Sequence, residues 1–138
     1  MQTLHLKHAV RKGDAHRKER EFLEFYVSGR SLKSILGIED SDLVTSIDLD
    51  RNNKQILNVF RGKEKSRLET GRVMIYVCPE CGDIGCGAIT AIILDRGAKI
   101  IWSDFGSEAG DGVTELYAHI EPIEFDRQSY FSAFSKLK

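Results

Sequence analysis

A cysteine- and glycine-rich segment, residues 78–87, separates the two strongest β-strand signals of the chain. Valine and isoleucine recur at alternate positions over 73–78, and residues 88–95 form an equally β-prone run. A third run, 98–105, follows directly after a short turn at 96–97. Because short connections favour antiparallel neighbours, these segments predict a β-meander with one cysteine-bearing corner.

The regions on either side of this meander predict further short strands and helices. Residues 22–27 and 43–49 are β-prone, and residues 123–125 predict a brief edge strand. Three helices are predicted to begin at the capping residues Ser31, Asp50 and Asp126. The pattern therefore predicts an α+β fold, an antiparallel β-meander sheet with two or three short helices packed on one face.

The length of 138 residues predicts a single α+β domain over 1–138. Residues 1–20 carry six lysines or arginines against two acids. Their weak periodicity leaves a poorly ordered basic arm, a first strand and a short helix as alternatives. The net charge of the whole chain is −1, and the arm has no interleaved aromatic residues for base stacking, so nucleic-acid binding is not expected.

Three features predict the compartment. No apolar run reaches the roughly 20 residues that a bilayer crossing needs, so no membrane partner is expected. The N-terminal residues lack the apolar core of a secretory signal. The cysteine count is odd, which does not favour a disulfide framework, and the prediction is a cytoplasmic protein.

The cysteines allow three interpretations. Two thiolates separated by two residues can reach one metal ion, so Cys78, Cys81 and Cys86 are candidate zinc ligands. The fourth ligand would come from Asp83, His119, an N-terminal histidine or another chain. In a second interpretation Cys78 and Cys81 form a redox dithiol, although the glycines after the motif argue against the helix that usually follows one. In the third, no cofactor binds and the segment is a structural corner with reduced thiols.

Acidic residues are concentrated in two stretches that contain no lysine or arginine, 34–50 and 103–126. Together these stretches predict an acidic face that recognises a basic protein partner. The alternative is an ordinary solvated surface. The residues expected to contact the partner are Asp104, Glu108, Asp111 and Glu115, with Glu39, Asp40 and Asp42 as a second set.

The cysteine segment also carries a resemblance. Its pattern Cys-Pro-x-Cys-Gly-Asp-x-x-Cys-Gly, followed by Trp102 and by Asp104-Phe105-Gly106, resembles a group of small, largely uncharacterised bacterial proteins, some loosely labelled oxidoreductase. This resemblance implies a bacterial source and assigns no catalytic residue. In size and charge layout the chain is also similar to the immunity proteins of bacterial toxin systems.

The leading functional prediction is a non-enzymatic, cytoplasmic protein-binding module without a cofactor, such as an immunity protein that neutralises a basic toxin domain. One alternative is a small metalloprotein with structural zinc on Cys78, Cys81 and Cys86. The other is a thiol-redox enzyme in which Cys78 is the nucleophile and Cys81 resolves the intermediate.

Overall fold

Two antiparallel sheets form the framework of the protein. The structure, a computed structural model, describes residues 1–81, 84–110, 112–135 and 137. The smaller sheet has the strand order β1-β2-β3, and the larger sheet follows the path β4-β5-β6-β7-β8, with β9 also pairing with β7. The strands are β1 (Leu4–Arg11), β2 (Arg20–Val27), β3 (Arg30–Ser31), β4 (Val44–Thr45), β5 (Val73–Val77), β6 (Ala88–Asp95), β7 (Lys99–Ala109), β8 (Gly112–Leu116) and β9 (Ile123–Asp126).

Three short helices complete the fold: α1 (Leu32–Leu36), α2 (Lys54–Phe60) and α3 (Arg127–Ser135). Their apolar residues join those of the strands in one buried cluster. The predicted α+β fold, with an antiparallel sheet and short helices, is therefore confirmed.

Two of the three predicted N-caps of the helices are observed in the structure. The Ser31 hydroxyl accepts a hydrogen bond from Ser34 N at 3.2 Å, and the Asp126 carboxylate accepts one from Ser129 N at 2.9 Å, as predicted. The prediction for Asp50 is wrong, because α2 begins four residues later at Lys54. The Asp50 carboxylate instead accepts a hydrogen bond from Glu21 N, which connects the segment before α2 to β2.

The first half of the basic arm is a strand. Over its full length β1 pairs with β2, from Leu4 opposite Val27 to Arg11 opposite Arg20. The segment 43–49 is extended over only two residues, Val44–Thr45. In contrast, β7 runs four residues beyond the predicted end and is followed by β8, which the sequence did not indicate.

Aromatic side chains join the two sheets. Trp102 on β7 is fully buried, and its ring centroid lies 5.2 Å from Phe25 of β2 and 5.1 Å from Phe125 of β9. Phe60 of α2 and Tyr130 of α3 pack against the same indole at 5.7 and 6.1 Å. Because large aromatic side chains dominate the energetics of a core, these contacts couple both sheets and two helices.

Candidate functional site

The cysteine segment is the connection between β5 and β6, at the centre of the larger sheet. Val77 at the end of β5 pairs with Ala88 at the start of β6, so the intervening loop leaves and re-enters the sheet at neighbouring positions. A single 3-10 turn, Ile84–Cys86, ends the loop. Gly87 then adopts φ +87°, a left-handed conformation that favours glycine, and leads the chain into β6.

The sulfur atoms of all three cysteines converge. Each Sγ of Cys78, Cys81 and Cys86 lies within 4.8 Å of the others, so the three cysteines are close enough to bind one metal ion. Cys81 and Cys86, both exposed, form a disulfide, and the half-buried Cys78 is a free thiol. The expected dithiol of Cys78 and Cys81 is thus not the pair that is joined. An odd cysteine count did not preclude a disulfide, because one pair forms while the third thiol stays free.

Two arginines from distant parts of the chain fix this loop. Arg51 donates hydrogen bonds from Nη2 to the carbonyl oxygens of Pro79 and Glu80, at 3.0 and 3.1 Å, and from Nη1 to Asp48 at 3.1 Å. Arg11 of β1 donates to the Glu80 carboxylate. That hydrogen bond is the main reason why the pKa of Glu80 is lowered from its ordinary value. Arg11, assigned to a basic arm by the sequence, is a buried residue that supports the cysteine loop.

No histidine or carboxylate of the described residues joins the three sulfur atoms as a fourth ligand. Of the predicted candidates, Asp83 lies outside the described residues. His119 lies in a different region, lining a cavity with Met1 and Glu121. His8, from the N-terminal set, hydrogen-bonds Glu21 at 2.9 Å instead.

The predicted acidic contact set does not form one exposed surface. The prediction that Glu108 contacts a partner is wrong, because only 4% of the residue is exposed. Asp42 is exposed but paired, with Arg17 at 2.7 Å and Arg11 at 3.6 Å. Asp111 lies outside the described residues. The remaining members, all exposed, are Asp104, Glu115, Glu39 and Asp40.

Glu108 belongs to a buried polar cluster that connects β6, β7 and the segment before β5. Its Oε1 lies 3.4 Å from Nε of Arg72, which precedes β5 and is also buried. Thr90 of β6 donates to Glu108 at 3.1 Å and accepts from Arg72 at 2.8 Å. Thr70 donates to the same carboxylate, and Arg72 also donates to the Asp104 carbonyl oxygen. The charges are therefore satisfied internally, which is what a buried ion pair requires.

The exposed Asp104 side chain results from the backbone around this cluster. Asp104 has φ +54°, and the β6–β7 register shifts at the same place, between Thr90 and Ile92. Two residues later, β8 approaches β7 so closely that a Cβ on Gly106 would lie 2.4 Å from the Glu115 carbonyl oxygen. Gly106 therefore permits the β7–β8 pairing that carries Glu115.

A second buried carboxylate, Glu24 on β2, lies between the two sheets. Tyr76 of β5 donates its hydroxyl hydrogen to Glu24, and Phe25 N donates to the same oxygen at 2.7 Å. Burial raises the pKa of Glu24 above its ordinary value despite these hydrogen bonds. Burial likewise lowers the pKa of Lys33, whose charge interacts with Glu24.

Sequence reasoning missed the arginines Arg11, Arg51 and Arg72. None belongs to a recognised motif, and each has a partner far away along the chain: Glu80 for Arg11, Pro79 for Arg51 and Thr90 for Arg72, at separations of 69, 28 and 18 residues. The only signal was regional: arginines occur outside the two acidic stretches and can neutralise them.

Comparison with protein-family models, with curated proteins and with solved structures finds no match. The resemblance to the bacterial cysteine-motif proteins and to immunity proteins therefore stays a prediction. Among the described residues, no helix has the length and apolar character needed to span a membrane.

Proposed function

We propose that the β5–β6 loop is a metal centre in which the thiolates of Cys78, Cys81 and Cys86 bind zinc when the cysteines are reduced. The observation that carries this proposal is the convergence of the three sulfur atoms, each within 4.8 Å of the others. Soft thiolate ligands select zinc, copper(I) and iron–sulfur clusters. We propose zinc because Cys78 and Cys81 have the Cys-x2-Cys spacing that is typical of zinc sites.

The spacing of the sulfur atoms suits zinc. A tetrahedral ion with Zn–S bonds of about 2.3 Å places its sulfur ligands about 3.8 Å apart. The three sulfur atoms lie within 4.8 Å of one another, so they can take that spacing once the Cys81–Cys86 bond is broken. Three protein ligands leave one position for water or for a donor outside the described residues. The Cys81–Cys86 disulfide has to be reduced first, because only thiolates bind the ion.

The surroundings of the loop support a structural role. Three thiolates and one Zn²⁺ carry a net charge of −1, and the guanidinium groups of Arg11 and Arg51 are bonded to the chain between Cys78 and Cys81. Opposite charge nearby favours the anionic form of the site. Zinc would join the end of β5 to the turn before β6, and so stabilise the central hairpin.

The test is to reduce the protein, supply zinc, remove the reductant and the unbound zinc, and measure how much zinc stays bound per chain. We expect about one equivalent of zinc per chain, as for a single zinc site. Each of Cys78→Ser, Cys81→Ser and Cys86→Ser should weaken binding, and binding should also weaken as the pH falls because protons compete for thiolates. Competition with a chromogenic chelator measures the affinity.

Glu69→Gln is the matched control, because Glu69 is exposed and lies outside the loop. Its zinc stoichiometry should equal that of the wild type. Reduced wild-type protein that retains less than about a tenth of an equivalent would refute the metal centre.

A second proposal keeps the predicted basic protein partner, now with a smaller contact set. Its support is that Asp104 and Glu115 are exposed on the neighbouring strands β7 and β8, and form no ion pair with another described residue. The exposed Glu39 and Asp40, after α1, are the second set. An immunity protein binding a basic toxin domain would use such carboxylates for electrostatic recognition.

Charge reversal tests this second proposal. Asp104→Lys and Glu115→Lys should slow association with a basic partner and reduce the salt dependence of the association rate. Glu64→Lys, an exposed acid on a different segment, is the control. Equal association rates for all three variants would rule out Asp104 and Glu115 as the contact surface.

A further inference from the structure

We infer that the same loop, in its oxidised state, is a centre of thiol–disulfide exchange in which Cys78 is the attacking thiol and Cys81–Cys86 is the disulfide that it attacks. This inference does not depend on metal binding. It depends on which two sulfur atoms are joined and on the position of the third.

The geometry brings the reactants together. The Cys78 thiol is free, and its Sγ lies within 4.8 Å of both sulfur atoms of the disulfide. Arg51 holds the carbonyl oxygens of Pro79 and Glu80, the two residues between Cys78 and Cys81. A nucleophile fixed beside its target reacts at a high effective concentration, so a slow bimolecular exchange becomes a fast intramolecular one.

The internal step is balanced without any external oxidant. The Cys78 thiolate attacks Sγ of Cys81, a Cys78–Cys81 bond forms, the Cys81–Cys86 bond breaks, and the electron pair leaves on Cys86 as a thiolate. Attack on Sγ of Cys86 instead gives a Cys78–Cys86 disulfide and a Cys81 thiolate. One disulfide and one thiol are conserved throughout.

The exposure of the three cysteines determines where the free thiol becomes accessible. Cys78 is half-buried, whereas Cys81 and Cys86 are exposed. Attack by Cys78 therefore moves the free thiol from a sheltered position to an exposed one, and the reverse step returns it. There the exposed thiolate can attack a low-molecular-weight disulfide such as oxidised glutathione: a mixed disulfide forms between the protein and one glutathione, the glutathione disulfide bond breaks, and the other glutathione leaves as a thiolate. The substrate class is thus a low-molecular-weight disulfide.

The first experiment locates the free thiol in the oxidised protein. A limiting, slow alkylating reagent is added at neutral pH, and proteolysis after Glu80 separates the peptide of Cys78 from those of Cys81 and Cys86. We expect more label on Cys81 and Cys86 together than on Cys78, because exchange supplies the exposed thiols. Label confined to Cys78 would overturn the inference.

The time course separates exchange from simple exposure. With exchange, label should accumulate on Cys81 and Cys86 while the free Cys78 thiol disappears, because each alkylated chain is withdrawn from the exchange. The amounts are measured by acid-quenching samples at successive times and mapping the label and the remaining thiol. Cys78→Ser, oxidised in the same way, should contain no alkylatable thiol.

A second pair of variants tests the alternative disulfides directly. Cys86→Ser and Cys81→Ser each keep Cys78 and one possible partner. Incubation with oxidised glutathione should close the Cys78–Cys81 or the Cys78–Cys86 bond, with loss of both thiols and no retained glutathione. If both variants keep a stable glutathione adduct, Cys78 does not resolve it and the inference fails. Zinc stoichiometry of the reduced protein is independent of these results, so the two proposals can fail separately.

Discussion

The cysteine loop and the Arg72–Glu108 cluster lie at the same end of the larger sheet, yet they place their reactive groups in opposite environments. Ala88, the first residue of β6 after the loop, pairs directly with Glu108 on β7. On one side of this pair the Glu108 carboxylate is buried and interacts with arginine and threonine, and on the other side two of the three cysteines are exposed.

The two regions therefore have different roles: the Glu108 cluster stabilises the fold, and the cysteine loop carries the reactive groups. A buried ion pair cannot exchange partners without a large desolvation cost, so Glu108 is suited to holding β6, β7 and the segment before β5 together. The exposed cysteines contribute little packing, so a change of their bonding, as proposed above, would leave the core intact. The neighbouring strands provide a rigid support for a loop whose covalent state can vary.

The largest expected effect is the loss of Glu108. Glu108→Ala leaves Arg72 buried without its counter-charge and should lower the free energy of unfolding by about 3–5 kcal/mol. Urea denaturation followed by circular dichroism at neutral pH measures this change. Glu115→Ala, on the exposed neighbour, should change stability by less than about 0.5 kcal/mol. Equal effects for the two variants would contradict the internal role of Glu108.

The next effect concerns the edge of the same region. Gly106→Ala places a Cβ 2.4 Å from the Glu115 carbonyl oxygen, so β8 has to shift. We expect a loss of about 1–3 kcal/mol, the usual cost of overpacking. Gly110→Ala is the matched control, because its Cβ would meet nothing within 4 Å. A Gly106→Ala protein as stable as this control would mean that β8 does not pack against β7 at this position.

Glu24 is also a buried carboxylate, but unlike Glu108 it forms no ion pair with an arginine among the described residues. Its folded-state pKa is raised above the ordinary 4.5. Its contribution to stability is therefore fully present below the unfolded-state pKa and is lost as the pH rises through the folded-state pKa. Glu24→Gln should remove this decline, which for one proton has a slope of at most about 1.4 kcal/mol per pH unit.

The measurement is the free energy of unfolding of the wild type and of Glu24→Gln at a series of pH values from about 4 upward. Gln keeps an acceptor for the Tyr76 hydroxyl and for Phe25 N. An unchanged pH profile in Glu24→Gln would show that another group titrates. Glu69→Gln, at an exposed acid, should reproduce the wild-type profile.

The smallest expected effect is in the loop. With reductant and chelator present, Cys86→Ser should change the free energy of unfolding by less than about 0.5 kcal/mol, because the side chain is exposed. Adding zinc should then stabilise the reduced wild type but not the variant. A large loss without metal would mean that the loop, like the Glu108 cluster, is part of the folded core.

The sequence predicts features that depend on neighbouring residues. The alternation in 73–78, the Ser31 and Asp126 caps and the spacing of the cysteines are all local, and the structure confirms the elements and the convergence of the sulfur atoms. A ten-residue loop between paired strands has to bring its side chains close together, whatever the rest of the chain does.

The features that the sequence did not predict depend on distant partners. Glu108 looks like any acid of an acidic stretch until Arg72, 36 positions earlier, is brought against it by the β5–β6–β7 pairing. β8 was missed because its pairing needs the close approach at Gly106. Which cysteines form the disulfide was also beyond the sequence, since all three share one loop and spacing does not rank the pairs.

The position of Trp102 has a practical consequence. It is the only tryptophan of the chain, and its indole touches aromatic rings from both sheets and from α2 and α3. Its intrinsic fluorescence is therefore a single-site reporter of the whole tertiary structure. If either sheet or either helix detached on its own, the emission would shift towards the red before the backbone signal was lost.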